Sequence, residues 1–187
     1  MRPDLELTSV PVWALNPTRP GADLSGRAWT IIAFGPHGAD IAQTWIDQIA
    51  SVHGESAVRL HRCDDGTQCD DGTASAIEAL TADLVDARVG WRLMMAGPAD
   101  ACLRLRGAAG ALGVADDEMT VASTDDDART VHCVHCGAVT RAQVQLDQVL
   151  PCSSCARKLL VYHHVSRRAG TYLGFMVDAE QPAEVPS

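Results

Sequence analysis

No run of apolar residues in this 187-residue chain reaches the roughly 18–20 that a membrane span needs. The N-terminal stretch "MRPDLELTSVPVWALNP" has no basic region leading into a long apolar segment, so no signal peptide is expected and the cytoplasm is the expected location. Positive charge is scarce. Fifteen Lys and Arg stand against 24 Asp and Glu, for a net charge of −9 and a pI near 5.1. Gripping a phosphate backbone takes clustered Lys and Arg, so this balance argues against nucleic acid as a partner. Common catalytic signatures are missing as well: there is no G-x-S-x-G, no H-E-x-x-H and no Walker loop. The doubled "CDDG" of residues 63–72 lacks the spaced ligands of a calcium loop. What remains is ordinary for a globular protein, 47% hydrophobic and 21% charged. The length suits one medium domain, with or without a small appendage.

Four prolines and the lack of any sustained period mark residues 1–26 as an extended arm. From Arg27 to Ser123 two kinds of segment alternate. "AWTIIAF" (28–34), "SAVRLHRC" (56–63), "WRLMMAG" (91–97) and "DEMTVAS" (117–123) read as strands. Between them, residues 38–52 place Ile41, Trp45, Ile46, Ile49 and Val52 at helical spacing. Further helices are expected over about 74–86 and 98–113, the last with Pro98 in its first turn. Alternating strands and helices predict an α/β domain over 27–123, with a mostly parallel sheet and helices on both faces. The acidic "TDDDART" (124–130) reads as a linker, and the remainder, 131–187, as a small β-rich domain.

That remainder carries the most specific signal. Cys133, Cys136, Cys152 and Cys155 form two C-x2-C pairs separated by fifteen residues. Thiolates at i and i+3 reach one ion when the backbone turns tightly between them, and two such knuckles supply tetrahedral S4 coordination. Seven cysteines, an odd number, also favour metal binding over disulfides. Gly137 follows the first knuckle, whereas Ala156 stands in the matching place of the second. Zinc is the expected ion and a single iron, as in rubredoxin, the alternative. Four sulfurs close the shell, which leaves no position for a catalytic water and makes His132 and His135 expected solvent-facing neighbours.

Beyond the cysteines, "LLVYHHV" (159–165) and "YLGFMV" (172–177) read as a strand pair around a turn. Because side chains alternate along a strand, at most one of His163 and His164 faces the core. Arg167 and Arg168 in the turn, with Tyr172 and Phe175 beside them, form a basic and aromatic tip on an acidic chain. They are the expected docking residues for an acidic partner or a phosphate-bearing cofactor. A solvated turn whose arginines pair with the acidic linker is the plainer reading.

The knuckles followed by "HHVSRRAGTYLGF" resemble the C-terminal module of the small subunit of dimethylamine (secondary amine) monooxygenases. The resemblance implies a component of a multi-subunit assembly that uses NAD(P)H and O2 to convert dimethylamine to methylamine and formaldehyde. Haem, flavin and an iron–sulfur cluster are then expected on partner subunits. The front half resembles the nicotinamide-binding domain of ferredoxin-reductase-like proteins such as phthalate dioxygenase reductase, through "RLHRC" and the strand ending in Gly97-Pro98. This second resemblance implies a degenerate dinucleotide site at Gly35, Gly38, Gly97 and Pro98. The sequence departs from that pattern in several places. "AFGPHGAD" replaces the glycine-rich loop, Ala96 replaces the cysteine before Gly-Pro, and Asp40 places negative charge near the expected phosphates. With 26 residues ahead of it, the domain is not expected to follow a flavin-binding barrel.

Two functions of different class follow. In one, the chain assists assembly or electron delivery in the monooxygenase and is not itself catalytic. In the other, it is a free-standing zinc-ribbon module that binds or regulates a partner.

Overall fold

The computed structural model describes residues 8–54, 57–64 and 72–177. Most of the "CDDG" repeat, with Cys69, therefore lies outside the described residues. The chain divides into two compact units. One comprises 11–126 together with the turn 167–170, and the other holds the remaining residues.

The first unit is built on four parallel strands, β1 (Ala28–Phe34), β2 (Ala57–Cys63), β3 (Trp91–Gly97) and β4 (Met119–Ser123), in the order β2-β1-β3-β4. Three helices connect them: α1 (Gly35–His53), α2 (Thr73–Leu84) and α3 (Ala99–Ala111). The side-chain period of two sorts β1 and β3 between two cores. On one face Trp29, Ile31, Ala33, Met94 and Ala96 pack against Ile41, Ala42, Trp45 and Ile49 of α1. On the other, Ile32, Phe34, Leu93 and Met95 pack against α2 and α3 through Ala76, Leu80, Ala101, Cys102 and Leu105. The two central strands are mostly apolar because each is covered on both faces, with Thr30 and Arg92 as the polar exceptions.

Of the expected extended arm, Val12–Ala14 forms a 3-10 helix, and residues 20–23 are tied to the first unit by polar contacts. Trp45 Nε1 donates to Pro20 O at 2.9 Å, Trp29 Nε1 to Asp23 O at 2.7 Å, and Ala22 N to Gln48 Oε1 at 2.7 Å. Two carboxylates of this unit, Asp83 and Asp100, are buried. Asp83 accepts from Thr30 Oγ1 at 2.8 Å and Arg59 Nη1 at 3.1 Å, and His61 Nε2 lies 2.9 Å away. Burial works against its charge, but these hydrogen bonds hold the Asp83 carboxyl below its ordinary value.

In the second unit, β5 (Ala128–Cys133), β6 (Val139–Gln143), β7 (Val149–Pro151), β8 (Lys158–Ser166) and β9 (Thr171–Met176) form a sheet in the order β6-β5-β9-β8-β7. All neighbours are antiparallel except β5 and β9. Pro151 is tolerated because β7 is an edge strand. Val131, Leu150, Leu159, Val161, Val165 and Tyr172 are buried here. β5 already occupies 128–130 of the expected linker, because Arg129 and Thr130 are buried there rather than solvated.

Candidate metal centre

Each C-x2-C pair sits at the turn of a hairpin. Cys133 ends β5 and Cys136 precedes β6, while Cys152 follows β7 and Cys155 precedes β8. The two turns share one backbone hydrogen-bond pattern. Cys133 N donates to Ala138 O at 2.8 Å and Gly137 N to Cys133 O at 2.9 Å; in the second turn Cys152 N donates to Arg157 O at 2.9 Å and Ala156 N to Cys152 O at 3.1 Å. Closing this pattern requires a left-handed residue after the second cysteine. Gly137 supplies it at φ 77°, and Ala156 is held there at φ 57°. The alanine that sets the second knuckle apart in the sequence therefore changes its strain, not its shape.

β9 lies between the two hairpins, and its Gly174 pairs with Cys133. Side chains add a brace, with Thr140 Oγ1 lying 3.1 Å from Ser153 Oγ and accepting from Ser153 N at 3.0 Å. The four Sγ atoms consequently lie within 4.8 Å of one another. Cys133 and Cys155 are 3.9 Å apart and Cys136 and Cys152 3.6 Å. Four sulfurs each about 2.3 Å from a tetrahedral ion are about 3.8 Å apart, so the residues present fit such an ion. Backbone N–H groups of Cys155 and Ser154 pull the Cys152 thiol down to about 6. Cys155 receives a backbone hydrogen bond from Arg157, but burial and its sulfur neighbours push it up to about 11. Thiolates this close repel one another, and a divalent cation relieves that repulsion. Cys133 and Cys152 are buried while Cys136 is exposed. His132 is half-buried and His135 exposed, and among the described residues the ligand group consists of the four cysteines.

The other expected residues have different fates. Gly35 and Gly38 open α1, and Gly97 and Pro98 lead into α3, so all four lie at the carboxyl edge of β1 and β3, where the strand order reverses. Ligands of open parallel sheets bind at such an edge. Packing nevertheless accounts for two of these glycines, since a Cβ on Gly38 would strike the Ala96 carbonyl and one on Gly97 would strike Phe34. The chain's own backbone closes the approach to α3, with Ala99 N donating to Asp125 O and Thr124 N to Gly97 O, both at 2.9 Å. Arg167, Arg168 and Phe175 are exposed. Tyr172 is a correction to the docking set. It is 1% exposed, with the Arg129 guanidinium 5.6 Å from its ring centre, because it points to the buried face of β9. His163 is buried, 2.9 Å from Asp147 Oδ2, and His164 is half-buried, as strand alternation requires.

Residues 130–175, which span this centre, match the family model described as "Dimethylamine monooxygenase subunit DmmA-like, C-terminal domain". The chain is also 39% identical over 103 residues to the heme-dependent oxidative N-demethylase delta subunit of Ectopseudomonas mendocina (strain ymp). That alignment covers 55% of this chain and 58% of the relative, so the chain spans little more than half of the curated protein it matches. No solved structure matches.

Proposed function

We propose that the chain is a non-catalytic subunit of an oxidative N-demethylating system, acting in assembly or electron delivery while oxygen chemistry takes place on partner subunits. The similarity to the delta subunit of a heme-dependent N-demethylase carries this reading. The family match over the four-cysteine module supports it. The system is an NAD(P)H- and O2-dependent monooxygenase that converts dimethylamine to methylamine and formaldehyde, with haem, flavin and an iron–sulfur cluster on the other subunits. A closed four-thiolate shell suits a non-catalytic role, because it leaves no position at which a metal would activate oxygen or water.

Cys133, Cys136, Cys152 and Cys155 hold the ion, which we assign as zinc; it supplies folding energy and no redox chemistry. The glycines at the edge of β1 and β3 serve as scaffold, since their packing uses need no dinucleotide. Reconstitution tests the proposal. The partner subunits with this chain are expected to release formaldehyde from dimethylamine and NAD(P)H, and to lose most of that activity without it. Full activity from the partners alone would sink the reading, and tight, salt-sensitive binding of DNA or RNA would favour a free-standing ribbon instead. Metal analysis of the purified chain is expected to give one zinc and no visible absorption. A red protein with thiolate-to-iron bands would make the centre an electron relay.

A further inference from the structure

Arg106 of α3 and the turn residues Arg167 and Arg168 line a pocket of about 410 Å³ floored by Gly107, Gly110 and Ala111. We propose that this pocket receives the carboxylates of an acidic segment of a partner polypeptide. Its residues belong to the unit that does not contain the four cysteines, so this role does not depend on which ion those hold.

The pocket already shows which group its arginines hold. Asp116 accepts from Arg106 Nη2 at 2.8 Å, and its other oxygen lies 3.9 Å from Arg167 Nη1, so one carboxylate sits between two guanidinium groups. Three arginines and one aspartate line the pocket, a formal excess of two positive charges in a chain whose net charge is −9. Guanidinium forks match carboxylates two bonds at a time, which gives such a site directional preference.

The arginines are also held in place. Gly170, at φ 64°, leaves no room for a Cβ against the backbone of Leu103 and Arg104, and a Cβ on Gly107 would fall 2.8 Å from Gly170 N. This glycine-on-glycine contact seats the turn against α3 and fixes Arg167 and Arg168 beside Arg106. At Gly110 a Cβ would meet nothing within 4 Å, so the floor is open to an incoming chain. The volume is many times the roughly 30 Å³ of a single water, leaving room for more than one carboxylate side chain. Arg167 is 74% exposed on the rim, which suits a segment crossing the pocket better than an enclosed small anion.

The test is titration calorimetry of the full-length, metal-loaded chain with an octaglutamate peptide and, separately, with inorganic phosphate. About 0.1 M salt screens charges beyond roughly 10 Å, so the distant acidic surface is muted and the local site is read. The peptide is expected to bind, and phosphate at the same concentration to leave its affinity unchanged. Arg167→Ala/Arg168→Ala is expected to weaken the peptide about tenfold with an unchanged circular dichroism spectrum, whereas Arg27→Ala/Arg88→Ala, elsewhere on the same unit, leaves it as it was. No peptide binding, or equal binding by the turn variant, would overturn the proposal. Displacement of the peptide by phosphate would overturn it too, and would make the pocket a small-anion site.

Discussion

Ala156 carries a backbone conformation that Gly137 takes freely in the matching turn. For an L-residue this left-handed geometry costs about 1–2 kcal/mol, so Ala156→Gly is expected to stabilise the metal-loaded protein by about 1 kcal/mol in urea unfolding. An unchanged or lower midpoint would mean that the turn is not strained. Asp83 makes the opposite case, a residue whose side chain contributes through charge. Because its folded pKa lies below the ordinary value near 4, its contribution is full above that value and fades as pH falls through the folded pKa. Asp83→Asn should therefore lose about 1–2 kcal/mol at neutral pH, with the gap to the parent narrowing near pH 3. Unfolding midpoints at the two pH values check both parts.

At the scale of elements, α1 depends on one close approach. Gly38 lets its first turn lie on β3, and Gly38→Ala would push the helix off the Ala96 carbonyl. A loss of about 1–3 kcal/mol is expected in thermal or denaturant unfolding. Stability equal to the parent would show that the glycine serves something other than packing. The same element shows what a sequence reveals and what it conceals. The spacing of Ile41, Trp45 and Ile49 marks the helix, but its start lies at Gly35, ahead of the residues that carry the period. β1 and β3 are legible from end to end because burial on both faces makes them mostly apolar, interrupted by Thr30 in one and Arg92 in the other. The parallel pairing of β5 with β9 is not, because Val131 and Tyr172 meet through topology that no local pattern encodes. The burial of Tyr172 is hidden for a related reason: alternation tells that neighbours face opposite ways but not which of them faces inward.

For the whole molecule, the division into two units sets what metal loss does. Among its described residues the cysteine unit buries few large apolar side chains, and Cys133 and Cys152 are buried with them, so an ion held there would supply much of its folding energy. Chelation, or Cys152→Ser, is expected to abolish hydrogen-exchange protection in β5–β9 while the amides of β1 and β3 stay protected. Simultaneous loss in both units would show that they unfold as one. The clustering of the four cysteines is legible in the sequence, because two C-x2-C pairs each close a local turn. The arginine pocket is legible only in part. Arg167 and Arg168 stand out in the turn, but Arg106 and Asp116 are far away in the chain and join them only through the seating of Gly170 against α3.

The place of β9 between the two cysteine hairpins has a consequence for biosynthesis. A ribosome delivers both knuckles before the strand that unites them, so the emerging polypeptide holds all four ligands on two separate hairpins. An ion captured at that moment would tether the hairpins and leave a strand-wide gap for β9 to fill. If the four cysteines take an ion, its capture can therefore precede the entry of β9 between the hairpins.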